Sequence, residues 1–369
     1  MSVIVAKLGS STLVDADGRL RTELLDARVR DLVRLRRLGH RPILVSSGAI
    51  ACGLGRLGIR ERPTSLPELQ AASAVGQGIL FQHYLTHFEA HDTTPAQVLL
   101  TSADLERRSG YLNARNTLSR LLDLGVIPVI NENDTTATDE LTFGDNDVLA
   151  AQVAMLMSAT WLVLLTDRDG LYGVGPHGEP KLITDVDPEV YPEDVPLADM
   201  RGSGIGRGGI TSKIAAATMA TSAGVTCVIA SGHRDGVLSS VASGHHVGTR
   251  FRPGNRKESA YKLWLRHTKP AQGVIHIDAG AARALRIQGT SLLPVGVRAV
   301  DGTFVAGDAV DVVDDTKRVV GKGVTSYSSE ELRQVAGMQT AEVLAVFPEA
   351  IAELIHRDQF VLVESSQVL

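Results

Sequence analysis

The sequence predicts an α/β fold: a largely parallel sheet covered by helices on both faces, followed by a small β-rich domain at the C-terminal end. Three observations carry this. Through residue 250, short β-rich runs alternate with longer segments whose apolar residues recur at helical spacing. Strands fed by helices need crossover connections, which parallel strands require. After Gln272 the segments shorten, and Gly and Asp punctuate them at roughly 8–12 residues, the spacing of a small β domain.

In chain order, Val3–Leu8 reads as a strand. Residues 23–38 read as a helix, with Leu24, Leu25, Val29, Leu32 and Val33 on one face and Gly39 as its C-cap. Strands follow at 42–46, 97–100, 126–130, 161–165 and 225–230. Helices are expected at 66–90, at 112–124 (ended by Gly125), at 147–158 and at 211–223 (ended by Gly224), with a short one over 328–336. The chain divides into a domain at 1–252, a basic linker at 253–271, a β-rich domain at 272–350 and a tail at 351–369.

Composition excludes several classes. With 369 residues, 44% hydrophobic and 21% charged, the chain is an ordinary globular protein and no disordered polymer. No apolar run approaches the ~18 residues of a membrane span, and the start lacks the pattern of a signal peptide. Two cysteines, Cys52 and Cys227, make neither a disulfide framework nor a metal site; buried thiols in a reducing cytoplasm are expected. The net charge of −5 is unevenly spread: −5 over 1–250, +5 over 251–270, −3 over 271–350 and −2 over the last nineteen residues. An acidic C-terminal domain is a poor match to RNA, whose phosphates call for cations.

Ligands of parallel sheets sit beyond the carboxyl ends of the strands. The residues there are Gly9-Ser10-Ser11, Ser47-Gly48-Ala49, Asn131-Glu132-Asn133-Asp134, Thr166-Asp167 and Ser231-Gly232. Lys7 and Gly9 offer a charge and open backbone donors to an anion, or else a strand lysine before a turn. Ser46-Ser47-Gly48 opens a helix, with Ser as the expected N-cap, and suits an anion or simple capping. The run 131–136, followed by Gly144-Asp145-Asn146-Asp147, can bind an ammonium, position Mg²⁺ or orient lysines; a solvated acidic loop is the bland alternative. Asn133-Asp134-Thr135 also matches a glycosylation acceptor, set aside because nothing suggests secretion.

Residues 202–213, GSGIGRGGITSK, place glycines, two hydroxyls and Lys213 at a helix start, a phosphate cradle. The order is not a Walker loop, and its GxGxxG (Gly204, Gly206, Gly209) does not follow the first strand, so a dehydrogenase reading is weak. Two lysines, an acidic centre and several anion sites at one sheet edge fit phosphoryl transfer. A carboxylate acceptor is ionised at neutral pH and needs no general base; no histidine stands in these motifs.

At VAKLGSS, VSSGAIACG, YLNARNTL, VIPVINENDTT, FGDNDVLAA, LLTDRDGLY and SGIGRGGITSK the sequence resembles the amino acid kinase family, from Val3 to about His356. NEND followed by GDND resembles the branch acting on free glutamate, apart from relatives acting on acetylglutamate, aspartate, carbamate and UMP. GVIHIDAGAARALRIQGTSLLPVGV is similar to a PUA domain. The resemblance implies an αβα sandwich, and transfer of the ATP γ-phosphoryl to the side-chain carboxylate of L-glutamate at the start of proline synthesis. By position, it implies that Lys7 and Lys213 stabilise the phosphoryl charge and that Asp147 holds them. It places glutamate at Ser47, Gly48, Asp134 and Asn146. It places ATP, arriving with Mg²⁺, at Lys7, Gly9, Thr166, Asp167, Arg207, Gly208, Gly209, Ile210, Thr211, Ser212 and Lys213; no metal ligand is assigned. The family usually has Thr where this chain has Arg207. The resemblance further implies inhibition by proline, contact with the reductase that consumes glutamyl phosphate, a homo-oligomer and a cytoplasmic location. An RNA-associated protein working through the PUA-like region is the competing reading.

Overall fold

A computed structural model describes residues 2–15, 19–136, 146–175, 177–186, 209–253, 262, 265–266, 269–347 and 351–363. They fall into two compact units, Met1–Glu258 and Ser259–Leu369.

The strands of the first unit are β1 (Val3–Leu8), β2 (Arg41–Ser46), β3 (Pro95–Leu100), β4 (Ile127–Glu132), β5 (Trp161–Thr166), β6 (Tyr172–Val174), β7 (Pro180–Leu182), β8 (Asp185–Val186), β9 (Thr226–Ser231) and β10 (Thr249–Phe251). Its helices are α1 (Ser10–Leu13), α2 (Thr22–Arg37), α3 (Ala49–Leu57), α4 (Leu66–Glu89), α5 (Ser102–Glu106), α6 (Arg108–Asp123), α7 (Asn146–Leu156), α8 (Ile210–Ser222) and α9 (Val237–Ala242). Eight strands form one sheet in the order β3-β4-β2-β1-β5-β9-β10-β8. All its pairings are parallel except β9 with β10. β6 and β7 make a separate antiparallel hairpin that the sequence reading did not include.

β1 lies centrally between β2 and β5 and is buried over Ile4–Leu8. Successive side chains of a strand face opposite ways. Ile4, Ala6 and Leu8 join Leu25, Val29 and Leu32 of α2 and Leu80, Tyr84 and Phe88 of α4 in one core. Each fully buried aliphatic side chain there contributes about 1.5–3 kcal/mol. Val5 and Lys7 point the other way, to the face against which α7 packs. Leu149–Leu156 of α7 is buried on every side, and its alanines let it lie close to the sheet.

α3 and α4 meet backbone to backbone. A Cβ at Gly53 would stand 1.8 Å from the Ala72 carbonyl oxygen, and one at Gly76 1.8 Å from that of Ala49. The expected serine N-cap of α3 is not what forms. The N-cap is Gly48, with φ 107° and no side-chain capping bond. The strand must turn sharply into the helix there, and glycine enters that left-handed region without strain.

The second unit is a five-stranded sheet in the order β12-β11-β13-β14-β15. Its strands are β11 (Ala271–Ile277), β12 (Val297–Gly302), β13 (Ala309–Val313), β14 (Val319–Val324) and β15 (Phe360–Leu362). Its helices are α10 (Ala279–Arg283), capped by Asp278, α11 (Ser329–Val335), with a Ser328–Glu331 capping box, and α12 (Thr340–Val346). Ile275, Val310, Val312, Val320, Leu332 and Val335 form its core. Leu354, Ile355 and Phe360 belong to the same core. Part of the segment read as a tail at 351–369 therefore completes this unit: β15 pairs with β14. At the other end of the unit, Arg266, read as linker, donates to the Leu362 carbonyl at 2.6 Å. Among the described residues, no helix is long and apolar enough to cross a membrane.

Candidate active site

The carboxyl ends of β1, β2, β4, β5 and β9 bring together most of the residues singled out from the sequence. Lys7 stands next to last in β1, Asp147 in the first turn of α7, and Lys213 in the first turn of α8. Lys7 Nζ lies 2.7 Å from Asp147 Oδ1, and Lys213 Nζ 3.1 Å from Asp147 Oδ2. Ser212 Oγ donates to the same Oδ2 at 3.0 Å. Asp147 is 0% exposed, Lys7 4% and Lys213 8%, so this is a buried charge cluster and no surface ion pair. Burial alone would raise the pKa of Asp147. The charges and hydrogen bonds of the two lysines outweigh it and hold the carboxyl down at about 2. Its place in the first turn of a helix favours the same charge. Gly9 borders this cluster: a Cβ there would stand 3.7 Å from Lys7 Nζ.

A second, largely uncharged cluster gathers at the ends of β2 and β4. Asn146 Nδ2 donates to Ser47 Oγ and to Asn131 Oδ1, each at 3.1 Å. Asn131 Nδ2 donates to Gln77 Oε1 at 2.7 Å, and the Glu132 N–H donates to Asn131 Oδ1 at 2.9 Å. Ser73 Oγ donates to Asp134 Oδ2 at 2.6 Å. Burial pushes the Asp134 carboxyl above its ordinary range, against the pull of Ser73 and of the Arg62 charge. The Ser47–Gly48 turn is braced from below, because Ser46 Oγ shares a 2.8 Å hydrogen bond with the buried Tyr84 hydroxyl.

A third group lies at β5, β9 and α8. Thr166 Oγ1 donates to Asp167 Oδ1 at 2.9 Å, and the Gly232 N–H donates to the Thr166 carbonyl at 2.7 Å. Gly209 is the N-cap of α8, and Gly209, Ile210 and Thr211 are exposed. Helix-start N–H groups of this kind suit an anion. Gly144, Asp145, Arg207 and Gly208, also singled out, lie outside the described residues, as do Gly204 and Gly206.

Sequence reasoning missed the contribution of α4. It read 66–90 only as a helix, yet Ser73 and Gln77 reach the second cluster and Tyr84 supports it. The signal was present: two polar residues four apart interrupt an apolar face made by Leu69, Ala72, Gly76 and Leu80.

The amino acid kinase family model matches residues 2–231, and the PUA domain model residues 273–347. The chain is 45% identical over 368 residues to the glutamate 5-kinase of Synechococcus sp. (strain JA-3-3Ab), covering 98% of each chain. It is 43% identical over 363 residues to the glutamate 5-kinase of Halalkalibacterium halodurans, covering 98% of this chain and 97% of that one. The glutamate 5-kinase of Myxococcus xanthus (strain DK1622) is 45% identical over 359 residues, covering 96% of this chain and 94% of its own.

Proposed function

We propose, from the premise that this chain belongs to the amino acid kinase family and carries a PUA domain, that it transfers the γ-phosphoryl group of ATP to the side-chain carboxylate of L-glutamate. The observation that carries this reading is the convergence of Lys7 and Lys213 on Asp147, beside the Ser47–Asn131–Asn146 cluster. The names of the relatives supply the substrate.

The roles follow from the geometry. The acceptor carboxylate is already ionised, so no proton need be removed. Catalysis is then positioning and charge stabilisation. Lys7 and Lys213 come from opposite ends of the domain's sequence. Asp147 fixes both ammoniums, and the phosphoryl group passes beside them. Ser47, Gly48, Asp134 and Asn146 receive glutamate. Gly9, Thr166, Asp167, Arg207, Gly208 and the start of α8 receive ATP. Both oxygens of Asp147 face lysine ammoniums, so it suits holding lysines rather than ligating metal. Mg²⁺ would arrive with ATP and would neutralise phosphate charge.

The product, γ-glutamyl phosphate, is a reactive acyl phosphate that opens proline synthesis in the cytoplasm. Proline inhibits as end product, a homo-oligomer is the working form, and the acyl phosphate passes to its reductase; these points rest on family membership alone. The test is to supply ATP, Mg²⁺ and L-glutamate with hydroxylamine and measure the glutamyl hydroxamate. Aspartate and N-acetylglutamate serve as alternative acceptors. Product from either of these and none from glutamate would overturn the proposal.

A further inference from the structure

Resting on the reading of a glutamate acceptor, we propose that Gln77 is a positioning residue that makes the acceptor site select an α-ammonium group. Its hydrogen bond belongs to a line of amides whose polarity can be followed atom by atom. The Glu132 N–H meets Asn131 Oδ1 at 2.9 Å, and a backbone N–H can only donate, so that atom is an oxygen. Asn131 Nδ2 therefore faces the other way, and there Gln77 Oε1 accepts from it at 2.7 Å. Asn131 is clamped from its own strand on one side and from α4 on the other.

The clamped Oδ1 takes a second hydrogen bond, from Asn146 Nδ2 at 3.1 Å. The other Nδ2 proton of Asn146 goes to Ser47 Oγ at 3.1 Å. With both protons placed, Asn146 has only Oδ1 to offer. That oxygen is buried and has no hydrogen-bond partner among the described residues. A buried acceptor left alone is unfavourable, so a donor on the ligand completes it. Asp134, oriented by Ser73, adds a carboxylate three residues beyond Asn131. An acceptor oxygen and a carboxylate together match an ammonium, which brings donors and positive charge at once. Gln77 acts through Asn131: without it, Nδ2 loses its partner, the Asn131 amide is free to turn, and Asn146 is no longer confined to presenting oxygen.

The test compares L-glutamate with glutarate, the same dicarboxylate without the amino group, by the hydroxamate assay on the full chain. In Gln77→Leu the ratio of kcat/KM for glutamate over glutarate falls about tenfold, the scale of one well-placed hydrogen bond, while the KM for ATP stays unchanged. Gln77→Glu, whose carboxylate accepts the same bond, keeps the parent ratio. Equal losses on both acceptors in Gln77→Leu would mean a merely structural role and overturn the inference. So would loss of the ratio in Gln77→Glu. If Gln77→Leu does not fold, Gln77→Lys, which donates where glutamine accepts, takes its place with the same two outcomes. An unmodified chain that makes no glutamyl hydroxamate would sink the glutamate reading, and this inference with it; an active chain whose Gln77 variants discriminate as the parent does would sink the inference alone.

Discussion

Asp147 in the first unit and Asp314 in the second are both buried, and both carboxyls are held down at about 2. Their partners differ in kind. Asp314 is held first by the Thr316 hydroxyl, then, against its burial, by Arg286 and the N–H groups of Arg318 and Thr316. Most of these partners lie within four residues of it, and the arrangement closes a turn between β13 and β14. Asp147 is held, against its burial, by two lysines from distant elements. One carboxylate is satisfied by local hydrogen bonds and stabilises a turn. The other joins two buried cations at the carboxyl edge of the sheet. A depressed pKa is thus common to both regions, and the source of the partners tells a turn from the cluster proposed as the reaction centre.

The harshest test of that contrast is Asp147→Asn. It leaves two buried ammoniums without their counter-charge, at a cost of about 3–5 kcal/mol, and turnover is lost with it. Urea denaturation reads the first and the hydroxamate assay the second; a variant as stable as its parent would break the comparison. Lys213→Ala comes next. It removes one preorganised donor and lowers kcat by about 10²–10³-fold, or roughly 3–4 kcal/mol of transition-state stabilisation. ATP affinity, measured by titration calorimetry, changes far less. Asp314→Asn costs about 1–3 kcal/mol, because Nδ2 would face the Arg286 guanidinium where Oδ2 now accepts from it, with kcat unchanged. A fall in kcat there would erase the distinction between the two carboxylates.

Acid titration of the unmodified chain gives a smaller effect. Both carboxyls have folded pKa values below the unfolded 3.8. Their contribution is present above pH 3.8 and is lost as the pH falls through about 2. Asp314→Asn should flatten part of that loss in denaturation curves recorded across the window. The mildest change to the chemistry is removal of residues 270–369, because the lysine–aspartate cluster lies wholly in the other unit. Some kinase activity should remain; its complete absence from a folded, ATP-binding truncation would tie the PUA domain to turnover.

Much of this was legible in the chain, for identifiable reasons. β1 falls where its β-branched run places it, and α2 and α4 begin and end within a residue of their apolar patterns. Lys7, Asp147 and Lys213 could be nominated because each stands near the end or the start of a regular element at the sheet edge. What escaped depends on tertiary position. The polar residues of α4 stand out locally, but that Gln77 meets Asn131 depends on how the helix packs, which no local pattern encodes. β15 has three residues, too few for an alternation to register. The cap of α3 misled because a serine at a helix start is usually its cap, whereas here Ser46 hydrogen-bonds Tyr84 and Gly48 makes the turn.

Under the proposed function, the contact between α3 and α4 bears on how acceptor preference can change. With no room for a Cβ at Gly53 or Gly76, the two helices cannot be pried apart by a larger side chain without moving backbone. Redesign or natural drift toward longer or shorter amino acids therefore has little freedom along that seam. The adjustable positions are side chains that reach out of it, Ser73 and Gln77 from one helix and Ser47 from the turn before the other. A focused library at those three sites would explore acceptor choice while leaving the helix pair as a fixed wall.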